Sequence, residues 1–196
     1  MVSNKFRIGA DFTFFAVIAM FVAFDTTGFA LMSLAVCAIH EAGHLTAMLI
    51  TKQKPSSILF RGGGIKITTA NNGQLIRSKS SLFVVLAGST LNIALFFGLY
   101  FTLAKTDIYP IMFAVLNLVT GLFNLLPVGC LDGKRLLEMF VPEKPLKVIE
   151  AVAFCIVFIV IAAALFKGGV NFTLAAAMIY IISVDIFSGE GVRVKQ

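Results

Sequence analysis

Six apolar runs decide what this chain can fold into, at residues 12–24, 29–50, 82–104, 109–126, 148–166 and 170–186. Most reach the ~20 residues that an α-helix needs to cross the hydrocarbon core of a bilayer. Nothing in that core can satisfy an open backbone, so such runs are expected to fold as helices side by side. Composition agrees, because 59% of the 196 residues are hydrophobic, only 13% are charged and the mean hydropathy is +0.96. A water-soluble domain of this size has no use for so much apolar surface. The expected fold is therefore an all-α polytopic membrane protein of about six transmembrane helices, one domain over residues 1–196 with its core at 29–133. The first run is short and has to recruit residues 8–11 or tilt little.

The positive-inside rule tests that count. With six spans and the N-terminus inside, every Lys and Arg falls on the inner side except Lys105 and Lys167, which is fourteen of the sixteen. The expectation is a multi-pass protein of the cell membrane with both termini cytoplasmic. The net charge of +6 then reads as membrane orientation, and no nucleic-acid partner is expected. The first run lacks a small-residue cleavage site and is followed by Asp25-Thr26-Thr27 and another run, so it reads as a membrane helix in place of a cleaved leader. Cys37, Cys130 and Cys155 show no C-x-x-C spacing, and no disulfide framework is expected. Cys130 reads as a small packing residue, with an accessory metal ligand as the alternative.

Against this background the only two histidines stand together as His40-Glu41-Ala42-Gly43-His44 inside the second run. On a helix the i, i+4 spacing turns both imidazoles to one face, where they can bind one zinc ion while Glu41 reaches the attacking water. Glu41 lies about nine residues from the end of its run, and an ionisable group that deep in a membrane points to function. A second cluster closes the fourth run as Asn124-Leu125-Leu126-Pro127-Val128-Gly129-Cys130-Leu131-Asp132-Gly133. Pro127 and Gly129 should break the helix, and irregular backbone at membrane depth is tolerated only beside protein or a water-filled cavity. Runs two and four point the same way across the membrane, so Asp132 can lie level with the histidines. A catalytic zinc takes three protein ligands and keeps one position open, and Asp132 is the obvious third. Asp25, Glu150 and Asp185 compete, but each lies near the edge of its run.

The loop at 51–81 has the one β signature. Ser57–Arg61 leads into Gly62-Gly63-Gly64, Ile65–Thr69 alternates, and Asn71-Asn72-Gly73 supplies a turn before Gln74-Leu75-Ile76. A small sheet at the cytoplasmic membrane surface is expected over 57–76. The glycine triplet reads as a hinge or as a place where a peptide backbone can approach closely, and a plain cover over the bundle is the alternative.

These residues resemble the site-2 proteases, a family of intramembrane zinc metalloproteases of the peptidase M50 type. The resemblance rests on His40-Glu41-x-x-His44 and on Asn124-x-x-Pro127-x-x-x-x-Asp132-Gly133, which matches the family's N-x-x-P-x-x-x-x-D-G pattern. Ala87-Gly88-Ser89-Thr90-Leu91-Asn92 looks like the family's A-G-P-x-x-N segment at the start of the third core helix, with Ser89 where proline is usual. No PDZ or CBS domain is expected. The resemblance implies one zinc per chain, held by His40, His44 and Asp132, with Glu41 as general base. It also implies that Asn124, with Asn92 as a further candidate, orients the site or bonds the substrate backbone. Ile65, Lys66 and Ile67 would hold an unwound substrate by strand addition. The implied partner is a membrane protein cut within or beside its transmembrane segment in regulated intramembrane proteolysis, with maturation of small signal peptides as the alternative. A metal transporter would distribute its sites along a path or in inverted repeats, and neither pattern is present. A non-catalytic scaffold would normally have lost part of the ligand set, which is complete here.

Overall fold

A computed structural model describes residues 7–25, 27–53, 55–61, 64–69, 78–103, 107–129 and 131–168. The expected third strand at 74–76, the sixth run at 170–186, Cys130 and Asp185 lie outside the described residues. The chain divides into two compact units, Met1–Asn124 and Leu125–Gln196.

The first unit begins with β1 (Arg7–Ala10), then α1 (Phe12–Phe24) and α2 (Phe29–Ile50). The strands β2 (Pro55–Arg61) and β3 (Gly64–Thr69) follow, and then the helices α3 (Lys79–Leu103) and α4 (Ile108–Asn124). Of the two alternatives for the short first run, recruitment of residues 8–11 is not the one taken. Residues 7–10 form a strand paired parallel to β2, with Arg7 opposite Ser57 and Ala10 opposite Phe60. The reason lies at Asp11, whose extended backbone (φ −84°, ψ 152°) starts α1 and whose N–H donates to the Phe60 carbonyl at 2.9 Å. Phe14 on the first turn of α1 then packs its ring 5.3 Å from that of Phe60. At 13 residues, α1 is about 20 Å long, less than the ~30 Å hydrocarbon core.

β2 and β3 pair antiparallel, from Pro55 opposite Thr69 to Arg61 opposite Gly64, so the sheet runs in the order β1-β2-β3. The helix before it stops cleanly. Lys52 turns left-handed at φ 57°, its N–H donates to the Leu49 carbonyl, and Gln53 N–H donates to the Met48 carbonyl at 2.9 Å. Those are the two bonds of a Schellman cap, which satisfies carbonyls that the helix end leaves open.

Helices α2, α3 and α4 pack against one another through small residues. A Cβ on Gly43 would meet the Ala87 carbonyl oxygen and Gly88 Cα at 2.9 Å, and one on Gly121 would meet the Ser89 carbonyl oxygen at 3.0 Å. Without a hydrophobic drive between helices in lipid, backbones that approach this closely gain their stability from contact. Val36, Ala47, Met48, Val84 and Ala114 are buried with Ser89, Asn92 and Asn117. The remaining apolar surface faces outward, including Leu31, Leu49, Phe97 and Phe101. Such a surface belongs in lipid, since water-soluble monomers rarely expose large contiguous apolar patches. Among the described residues, α2 and α3 are long and apolar enough to cross a membrane, and α4 is a shorter apolar helix.

The second unit opens with the turn after Asn124 and continues as α5 (Asp132–Glu138) and α6 (Glu143–Gly168). The helix before the turn ends at Asn124, two residues short of the apolar run, because Pro127 brings no N–H and restricts the residue before it. Val128 N–H then donates to the Leu126 carbonyl at 2.9 Å and Leu131 N–H to the Val128 carbonyl at 3.1 Å. Gly129 passes through the left-handed region at φ 55°, where a side chain would be strained.

Candidate metal centre

His40 and His44 project from one face of α2, 4% and 7% exposed. Their Nε2 atoms lie 3.1 Å apart. His44 Nδ1 is 2.8 Å from the Val84 carbonyl oxygen on α3. A carbonyl can only accept, so Nδ1 carries the proton and Nε2 keeps the lone pair a metal needs. Two nitrogens bound at ~2.0–2.1 Å on a tetrahedral zinc stand about 3.3 Å apart, so the pair is already spaced for one ion.

Close approach of α3 makes this possible. A Cβ on Gly88 would stand 2.5 Å from His44 Nε2, 2.8 Å from the His40 carbonyl oxygen and 2.9 Å from His40 Cε1. Only glycine leaves room for both rings at this position. Glu41, next along α2, is half-buried.

In the other unit Asp132 is the first residue of α5 and is 4% exposed. Arg135 Nη1 lies 3.5 Å from its Oδ1, one turn along the helix. Gly133 follows because a Cβ there would collide with the carbonyl oxygens of Leu125 and Leu126. The Asp-Gly pair thus begins a helix seated directly on the backbone of the preceding turn. Two buried imidazoles and one buried carboxylate offer the donor set of a catalytic zinc.

Among the described residues, the two competing acids, Asp25 and Glu150, are occupied elsewhere. Asp25 accepts from the N–H groups of Thr27 and Ala30 at 2.9 and 2.7 Å and from the Thr27 hydroxyl at 2.8 Å, which ties it to the start of α2. The Thr27 backbone bond holds its carboxyl below the usual value. Glu150 on α6 accepts from Gly129 N–H at 3.0 Å and Lys134 Nζ at 2.6 Å.

Asn124 ends α4 half-buried, its Nδ2 donating to the Thr120 carbonyl at 3.0 Å. Asn92 is wholly buried on α3, and among the described residues no hydrogen bond reaches its side-chain amide. The stretch 87–92 does not open the third helix as expected. It lies inside α3, eight residues past Lys79, and serine in place of proline lets the helix run on unbroken. Ile65, Lys66 and Ile67 lie on β3, opposite Phe60, Leu59 and Ile58 of β2.

The model of peptidase family M50 matches residues 104–166, the part of the chain that holds Asn124, Pro127, Asp132 and Gly133. The site-2 protease of Methanocaldococcus jannaschii is similar in structure, with a TM-score of 0.69 at 18% identity over 96% of this chain and 93% of that one. The chain has the site-2 protease fold. Among curated proteins none matches it in sequence. Both comparisons agree with the resemblance read from the two motifs, and the site-2 protease fold embraces the histidine pair that lies outside the M50 match. Sequence reasoning missed the Val84 carbonyl, for which no residue type is a signal, and the use of Glu150. Gly88 was within the Ala87–Asn92 resemblance, but its steric role shows only once α3 is placed.

Proposed function

We propose that the chain is an intramembrane zinc metalloprotease that hydrolyses a peptide bond within or beside the transmembrane segment of a membrane-protein substrate. The histidine pair carries this reading, with its 3.1 Å Nε2 separation and a His44 tautomer fixed by Val84. His40, His44 and Asp132 would hold the ion. When bound, zinc polarises a carbonyl and lowers the pKa of water to about 7. Glu41 takes the proton of the attacking water and returns it to the leaving amine nitrogen. Asn124 keeps its side-chain oxygen for the substrate backbone, since its nitrogen serves Thr120.

The sheet supplies a place for the substrate. Among the described residues β3 pairs only with β2, so its other edge offers backbone groups to an unwound segment around Ile65, Lys66 and Ile67. A transmembrane helix hides its peptide bonds, and pairing with an edge strand keeps one stretch extended for attack. The parallel pairing of β1 with β2 holds the segment before α1 and the segment after α2 on one side. The fourteen-to-two distribution of Lys and Arg is what assigns that side, and both termini, to the cytoplasm.

The deciding experiment is Glu41→Gln in cells that express candidate membrane substrates. The variant keeps size and polarity but has no base, so zinc content should match the wild type while cleavage disappears. Substantial residual proteolysis with zinc in place would sink the general-base role.

A further inference from the structure

Glu150 has no place in the ligand set, yet its contacts bracket the third ligand. One oxygen takes both donors, Gly129 N–H at 3.0 Å and Lys134 Nζ at 2.6 Å. Gly129 precedes Asp132 by three residues and Lys134 follows it by two. The ion-paired side chains are only 25% and 20% exposed, so water competes weakly for them. Gly129, left-handed and past the end of α4, has no helix bond to make with its N–H. Between these two anchors Gly133 rests on the Leu125 and Leu126 carbonyls. The turn that presents Asp132 is therefore pinned before the ligand, after it and beneath it.

We infer that Glu150 is a positioning residue for Asp132, holding the 129–134 segment so that the carboxylate is presented in one orientation to the metal. The inference rests on the proposed zinc protease reading. Asp132 opens a helix of only seven residues that follows an irregular turn, and neither element is stiff alone. Tying both flanks to one carboxylate on the 26-residue α6 gives the turn the rigidity of a long helix. The charge of Glu150 matters twice, because a charged acceptor strengthens the Gly129 bond and makes the Lys134 pair.

Zinc dissociation constants of the full-length protein in detergent, from chelator competition, test the assignment. Glu150→Ala should weaken zinc binding about 10–100-fold, the usual effect of removing a partner that orients a ligand. Glu150→Gln keeps an oxygen for Gly129 N–H and should fall between that variant and the wild type. If Glu150 acts through Asp132, the same substitutions should change affinity less than about twofold once Asp132 is already alanine. A role in general folding would weaken zinc equally in both backgrounds, and that result overturns the assignment. So does a Glu150→Ala protein that binds zinc as the wild type does. Should the alanine variant fail to fold, Glu150→Gln carries the same comparison. A wild type that takes up no zinc would refute the protease reading along with the assignment, whereas a zinc-binding wild type with an indifferent Glu150 refutes the assignment alone.

Discussion

Gly88→Ala tests the histidine site without touching a ligand. The added methyl would lie 2.5 Å from His44 Nε2 and 2.9 Å from His40 Cε1, with the His40 carbonyl oxygen at 2.8 Å on a third side. Ordinary contact between such atoms begins at about 3.5 Å, so the rings or the helix must move by roughly 1 Å. Metal–ligand distances tolerate about 0.2 Å, which makes that displacement ruinous for coordination. If the helices yield instead, overpacking costs about 1–3 kcal/mol. Carried into metal binding, the upper figure is roughly 100-fold in affinity. Gly98→Ala is the control on the same helix, because among the described residues nothing lies within 4 Å of a Cβ there. Zinc titration of both purified variants, with thermal unfolding in detergent beside it, should show a loss of roughly 100-fold for Gly88→Ala and none for Gly98→Ala. Wild-type zinc affinity and unchanged unfolding in Gly88→Ala would refute the close packing of α3 on the histidines.

Metal analysis after mild purification should find about one zinc per chain, falling sharply in His40→Ala, His44→Ala and Asp132→Ala; full zinc in the Asp132 variant would show that another residue is the third ligand. Proline at Lys66 or Ile67 removes one amide of β3 and should slow cleavage at the position that faces substrate while zinc content stays constant. Cleavage at the wild-type rate by both proline variants would reduce the sheet to a cover over the bundle. Reporter fusions after Lys54 and Lys144 should both read as cytoplasmic and a fusion at Lys105 as external; opposite sides for the first two would make α2 and α4 antiparallel.

The parts of this fold that could be read in advance are those whose causes are local. Both α1 and α2 begin and end where the apolar runs do, since Asp11, Asp25 and Gly28 mark their limits in the sequence itself. The histidine pair is legible for the same reason, because four residues of helix bring the two rings together whatever else the chain does. The β2–β3 hairpin follows from alternation and glycines next to one another. By contrast, β1 is four residues beside an apolar run, and its strand character comes from Ser57–Phe60, some fifty residues on (57 − 7 = 50). Glu150 is similar: as a sequence position it is an acid near the end of a span, and only the fold shows that it answers Gly129 and Lys134. Asn124 and Pro127 announce the end of α4, but the two-residue difference in where it stops depends on how Pro127 constrains its neighbour.

The order of synthesis gives the β1–β2 pairing a further consequence. β1 leaves the ribosome before α1, but its partner strand is made only after α2 is complete. The first strand must wait, unpaired, until two apolar helices have been produced and brought back to the side from which the chain entered. Loop closure over that length is slow compared with forming a helix or a hairpin. When β2 arrives, the parallel pair closes and the backbone bond from Asp11 to Phe60 fixes the start of α1 against it. β1 thus acts as a latch on the helix pair, and a proline at Ile8, which removes one amide from the pairing opposite Ile58, should loosen α1 from β2.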